Sequence, residues 1–301
     1  MRAHAHVGSA AIAMICAATL CFATLDSMMK YLSTRYPLSL ILAVRWLIQA
    51  GALAAWFVPR SGTAVLRTSR LGAHLVRGVF LMLASLFFMA AIRALPLADA
   101  TAIHYTTPMI VAVMAVFVLG ERMTVPRALF VVAGAAGMVL IVKPGSELFQ
   151  GSALLVLVSA VCYSTYQILT RRMADESPAA LVFYPSLVCA AVFGLAVPFF
   201  VDGSLAIPVA HLGMLAAVAL LGTLGHFLFV LAFRLADASA LTPYTYSQLV
   251  WATIVGWIAF SDLPDGYSVA GMAIIAAGGL AFALVERRRA RTLLAAAPVG
   301  D

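Results

Sequence analysis

Seven uncharged, apolar runs limit what this chain can fold into: Val7–Leu25, Ala100–Gly120, Leu148–Thr170, Ser177–Val201, Gly203–Phe233, Ala238–Ser261 and Gly266–Val285. About 20 apolar residues cover the hydrocarbon core of a bilayer as a helix. Within that core only helices and closed barrels satisfy every backbone N–H and C=O. Composition points the same way: 64% of residues are hydrophobic and only 10% are charged, against about a quarter charged in soluble chains. The chain reads as an all-α integral membrane protein, and a water-soluble domain is excluded.

Ten transmembrane helices are predicted, near residues 7–30, 37–58, 71–92, 97–119, 125–142, 150–170, 178–200, 208–232, 237–260 and 266–285. The second and third are interrupted by Arg45 and Arg77, and Pro126 suits the first turn of the fifth. The short basic start followed by a long apolar run, with no small-residue cleavage site after it, reads as a first spanning helix rather than a signal peptide. With the N-terminus in the cytoplasm, thirteen of the 19 Lys and Arg residues fall on the cytoplasmic side, four outside and two within helices. The positive-inside rule therefore predicts that both termini are cytoplasmic, which requires an even number of spans. The net charge of +7 sits at segment ends, where topology explains it, so no nucleic-acid partner is expected. The four cysteines lie inside apolar runs, where free cysteine packs as a small hydrophobe; their spacing suits neither disulfides nor a metal.

A joint is written twice. Leu97–Ile103 (LADATAI) matches Leu235–Leu241 (LADASAL) at a separation of 138 residues, and Glu121 then faces Asp262, and Gly137 faces Gly278, at 141. Joint, helix, acidic turn and glycine-spaced helix recur in one order, which defines two five-helix repeats, 1–145 and 146–289, followed by a cytoplasmic tail, 290–301. Five is odd, so the second repeat enters the membrane upside down. Inverted repeats are the usual architecture of secondary transporters, because exchanging the conformations of two similar halves moves a central site from one face to the other. Chance similarity between Ala/Leu-rich stretches is the competing explanation, and the shared order of features argues against it.

On the Leu-Pro-Leu-Ala-Asp-Ala joint at 95–100, Pro108, the Leu-Gly-Glu-Arg turn at 119–122 and the glycine pattern of the fifth helix, the chain resembles the drug/metabolite transporter superfamily in its ten-helix EamA-like branch. The resemblance covers nearly the whole chain. It implies a central substrate cavity, fifth and tenth helices acting mainly as scaffold, and a place in the inner (cytoplasmic) membrane of a bacterium. Two departures are visible: Phe130 stands where the second repeat has Gly271, and Pro108 corresponds to Tyr246. The Phe-Ala-Thr-Leu-Asp-Ser-Met-Met-Lys stretch at 22–30 also resembles riboflavin and S-adenosylmethionine carriers of this superfamily.

Ionisable groups inside a membrane are costly and so are candidates for function. Asp26 and Arg45 are placed to face each other in the outer half, for gating or for a substrate carboxylate, and Lys30, four residues on, competes for Asp26. A structural salt bridge or snorkelling side chains explain the same residues. His104, in His-Tyr-Thr-Thr-Pro, precedes Pro108, whose missing N–H bends the helix and frees carbonyls to face a ligand; with Tyr105 it is a candidate for substrate contact. A packed histidine is the plainer explanation. Tyr163 and Gln167 share one face of the sixth helix, and Tyr244, Gln248 and Trp251 share one of the ninth. His226 lies in the inner half of the eighth. Aromatic walls with few donors and little fixed charge suit a small amphipathic or zwitterionic metabolite, although aromatics also gather at membrane interfaces.

The expected partners are a small-molecule substrate and membrane lipid. Proton coupling through Asp26 or His104 stays open, as does monomer against homodimer. No catalytic constellation, metal site or cofactor motif is present to suggest an integral-membrane enzyme, and no charged ring or carbonyl filter to suggest a channel. A non-transporting scaffold leaves the repeat unexplained.

Overall fold

A computed structural model of the chain describes residues 9–62, 67–143, 151–173, 175–201, 205–235 and 238–296. Twelve helices follow one another: α1 (Ser9–Ser33), α2 (Leu38–Ser61), α3 (Leu71–Ile92), α4 (Leu97–His104), α5 (Thr107–Leu119), α6 (Val125–Val142), α7 (Ser152–Arg171), α8 (Pro178–Phe200), α9 (Val209–Leu235), α10 (Ala238–Thr245), α11 (Ser247–Phe260) and α12 (Gly266–Ala296). Among the described residues, nine segments are long and apolar enough to cross a membrane, α4 and α5 together forming one of them. α10 and α11 together make the tenth span, broken at Tyr246. On the outer surface Phe117, Phe199 and Val209 are more than four-fifths exposed, a cost that only lipid removes.

Local chemistry sets the ends. Ser177 caps α8 by accepting from the Ala180 N–H at 3.1 Å, and Pro178 follows at the first helical position. α5 stops at Gly120 in the left-handed region (φ 70°), and α11 stops in the same way at Ser261 (φ 59°). These two caps stand 141 positions apart.

Packing follows a two-fold pattern between the halves. α1 lies against α9, and α7 lies against α3; α1 also meets α10 and α11, as α7 meets α4 and α5. α2 faces its counterpart α8, and α6 faces α12. Contacts within each half are sparse beside these, so the inverted repeats interleave rather than stand as two separate bundles. At the α6–α12 contact, a Cβ on Gly137 would lie 2.7 Å from the Gly271 carbonyl oxygen, and one on Gly271 would lie 2.5 Å from that of Gly137. Only glycine permits this approach. Phe130, at the position equivalent to Gly271, stacks on Phe282 at 4.8 Å. Ring and glycine therefore fill symmetry-related places with unequal volume, which accounts for the departure noted in the sequence.

The last span, Gly266–Glu286, ends where expected, and α12 itself runs on to Ala296: hydropathy marks where apolar residues stop, whereas Arg and Ala continue a helix readily. Two expectations are corrected. The fourth span breaks at Tyr105–Thr106, ahead of Pro108, and the ninth breaks at Tyr246. The equivalent pair is therefore Tyr105 and Tyr246, 141 apart, whose rings meet at 5.3 Å, not Pro108 and Tyr246. Secondly, the carbonyls freed at the break do not wait for a ligand. The Thr107 hydroxyl donates to His104 O at 2.6 Å and the Thr106 hydroxyl to Ile103 O at 2.7 Å. Asp237, the acid of the second joint, lies outside the described residues.

Candidate functional site

Between the halves lies a cavity of about 450 Å³, within the range of small-molecule sites. Helices from both repeats line it. α1 contributes Phe22 and Asp26, and α7 contributes Tyr163 and Gln167. These are equivalent positions at an offset of 141: Cys21-Phe22, Thr24, Asp26 and Lys30 answer Cys162-Tyr163, Thr165, Gln167 and Arg171. A pair of symmetry-related stripes thus presents an aromatic ring and a polar group, and only one of them is charged. Spacing alone carried this signal, and the Ala/Leu background hid it.

Asp26 is buried (8% exposed) and Arg45 half-buried, and both line the cavity. Among the described residues the guanidinium donates to the Met29 sulfur, at 3.4 Å, and lies over the Trp46 ring at 5.0 Å, while its Nε is buried with no hydrogen-bond partner. No carboxylate pairs with it among the described residues, Asp26 included. Arg77 is the contrast. Also buried, it donates to the Thr170 hydroxyl at 3.1 Å and to Leu181 O at 3.0 Å, and lies 3.2 Å from His74 Nδ1; His74 Nε2 in turn lies 3.5 Å from Glu176. One intramembrane arginine has its donors met by protein oxygen and nitrogen, and the other lines the chamber with no oxygen acceptor among the described residues. Lys30 does not compete for Asp26. Its ammonium donates to Asp262 at 3.0 Å and to Leu95 O at 2.9 Å, because the fold brings the acidic turn after α11 to the end of α1.

His104 lines the cavity with its ring 5.0 Å from Phe88 and 5.6 Å from Tyr163, and its buried Nδ1 has no partner. Thr101, one turn earlier, also lines the cavity, and its buried hydroxyl has no partner; a threonine within a helix gives no such signal in the sequence. The Tyr105 hydroxyl lies 2.7 Å from Thr245 O and 3.1 Å from Gln248 Oε1, tying the two broken spans together at the cavity wall. His226 packs edge-on to Phe22 at 5.0 Å, and its Nδ1 donates to Gly222 O at 2.7 Å, so Nε2 is the nitrogen free to accept. Seven sequence candidates besides Arg45 thus meet at one chamber: Asp26, His104, Tyr105, Tyr163, Gln167, His226 and Gln248. Lys30, Tyr244 and Trp251 are not among the lining residues. Tyr244 is exposed, and Trp251 packs against the main core. Among the described residues no three His, Cys, Asp or Glu side chains gather to hold a metal.

The EamA-like transporter family matches the chain twice, over residues 9–143 and 150–284. This chain belongs to that family. The two matches are offset by 141 at both ends, the same offset that relates the paired stripes. The chain is similar to the S-adenosylmethionine uptake transporter of Rickettsia bellii, at 29% identity over 83% of this chain and 85% of that one. It is also similar to the riboflavin transporter of Rhizobium johnstonii, at 28% identity over 78% of each. A third relative is the pseudopaline exporter of Pseudomonas aeruginosa, at 27% identity over 90% of this chain and 94% of that one. A protein of known crystal structure superposes with a TM-score of 0.67 over 93% of this chain and 99% of its own, at 22% identity, a likeness of fold alone. Family and relatives are transporters rather than enzymes, and this EamA-like protein is a multi-pass secondary transporter of a small metabolite.

Proposed function

We propose that this EamA-like protein carries a zwitterionic metabolite with an amino-acid head group, by alternating access, across the bacterial inner membrane with both termini in the cytoplasm. The single observation behind this reading is the pair of opposite charges, Asp26 and Arg45, that share one chamber without bonding to each other. A guanidinium removed from water without an oxygen acceptor is unfavourable, and a substrate carboxylate supplies two acceptors in the matching fork geometry. Asp26 offers the complementary contact to an ammonium group. The rings of Phe22, Phe88 and Tyr163 receive the rest of the molecule, and His104 Nδ1 and the Thr101 hydroxyl give it polar contacts. Asp26 and His104 are the candidates for carrying a coupled proton, and a monomer suffices because one chain encloses the chamber.

Among the substrates named for relatives, S-adenosylmethionine bears an α-ammonium, a carboxylate, a sulfonium that suits aromatic faces and a flat purine. Riboflavin bears neither of the first two, so the charge pair favours the former class. The test is a thermal-shift measurement on the purified protein with S-adenosylmethionine, methionine and riboflavin in turn, followed by proteoliposome uptake of whichever stabilises. Binding to the native state raises apparent stability. Stabilisation by the zwitterions is expected; stabilisation by riboflavin alone overturns the amino-acid reading.

A further inference from the structure

Two ion pairs that the substrate chamber does not use sit at opposite ends of the molecule and are copies of each other. Lys30 closes the last turn of α1, and Arg171 closes the last turn of α7. Asp262 follows the left-handed cap of α11, and Glu121 follows that of α5. Lys30 and Arg171 are 141 positions apart, as are Glu121 and Asp262. The structure joins Lys30 to Asp262 and Arg171 to Glu121. Counting spans along the chain puts the C-terminal ends of α1 and α11 at one membrane face, and those of α7 and α5 at the other.

The two copies are not in the same state. Lys30 Nζ lies 3.0 Å from Asp262, is also held by Leu95 O, and sits over the Phe260 ring at 4.7 Å, with its side chain only 11% exposed. Arg171 lies 3.8 Å from Glu121 and its side chain is 55% exposed, while Glu121 is taken up at 2.8 Å by Arg127, on the first turn of α6. One latch is made, with its lysine buried and its acid 37% exposed. The other is slack, with its arginine in the open and its acid, 36% exposed, held by a neighbour.

We propose that these pairs are alternating latches: Lys30–Asp262 closes one face in the state seen here, and Arg171–Glu121 tightens to close the other face as the first pair parts. α1 and α7 carry the chamber's equivalent stripes, and α5 and α11 follow the breaks at Tyr105 and Tyr246. Tying helix ends across the two-fold therefore seals the chamber on the tied side. Arg127 supplies the asymmetry, since it gives Glu121 a second partner while the latch is open. The proposal rests on the transporter reading but not on the identity of the substrate.

The test labels a cavity cysteine, Ser85→Cys, with a membrane-impermeant maleimide from either face of oriented vesicles. The background has Cys16, Cys21, Cys162 and Cys189 replaced by alanine and is shown to elute and melt like the natural protein. Lys30→Ala or Asp262→Ala is expected to raise labelling from their own face and lower it from the other by about fivefold, the smaller end of ordinary conformational couplings. Glu121→Gln with Arg171→Ala is expected to shift labelling the opposite way. The swapped pair Lys30→Glu with Asp262→Lys restores the natural pattern if pairing is what matters. Should the alanine variants fail to fold, the swap and the exposed Glu121–Arg171 pair carry the test alone. Labelling that is unchanged, or that moves in one direction for both latches, overturns the proposal. Because no substrate enters this assay, its result stands apart from failure of the amino-acid reading.

Discussion

Replacing Arg45 by methionine removes a charge while nearly keeping the volume, and the structure says what this does. The guanidinium has a thioether and the Trp46 ring for partners and one buried nitrogen with none, so deletion leaves no protein oxygen unsatisfied. Exchanging poorly compensated buried charge for apolar volume is often neutral or stabilising. To keep the chamber neutral, the variant is paired with Asp26→Asn, and the double variant should melt at or above the natural temperature. Transport responds differently. Losing one partner of a desolvated, hydrogen-bonded charge pair costs about 2–5 kcal/mol, so substrate affinity for Arg45→Met falls by roughly 30-fold to a few thousand-fold. Arg45→Lys keeps the charge but not the fork and falls between the two. Arg77→Met is the control, because it leaves buried acceptors at Leu181 and His74 unmet, at about 1–3 kcal/mol of stability each. The measurements are melting of the detergent-purified protein and concentration-dependent uptake in proteoliposomes. If Arg45→Lys transports with unchanged affinity, or if Arg45→Met with Asp26→Asn melts as low as Arg77→Met, the argument from unpaired charge is refuted.

Asp26→Asn should lose affinity for a substrate with a free ammonium by more than tenfold, yet bind its N-acetylated analogue as the natural protein does; competition in the uptake assay checks this. Gly137→Ala places a methyl 2.7 Å from a backbone carbonyl that cannot yield, so melting should show a loss of about 1–3 kcal/mol. Thr107→Val strips His104 O of its 2.6 Å hydroxyl partner beside Pro108 and should destabilise by about 1–3 kcal/mol, whereas Thr165→Val, half-buried and losing only a solvent-exposed hydroxyl bond to Val161 O, should cost less by the same measurement.

The spans were legible because lipid imposes a length and a composition that seven runs display openly, and the inverted order was legible because the joint and its acidic turn recur. Other features were hidden for physical reasons. A helix break made by two residues, as at Tyr105–Thr106, leaves hydropathy untouched. The partner of Lys30 is Asp262, 232 residues away, and local spacing proposes Asp26 because a helix face reveals only neighbours three or four residues apart. Cavity residues were found where a polar group interrupts an oily helix, as at His104, Gln167 and Asp26. Trp251 and Tyr244 carry the same signature and face elsewhere, since periodicity gives a face but not what that face meets.

The interleaving of the halves has a consequence for how the protein is made. α1 finds its main neighbour in α9, and α2 finds its own in α8, so the first five spans enter the bilayer before the surfaces they belong against have been synthesised. Until then Lys30 has no Asp262, and the glycine face of α6 has no α12. The first half must therefore wait in lipid as loosely held helices. Assembly is an event of the finished chain, and two half-length chains made together should be able to find each other.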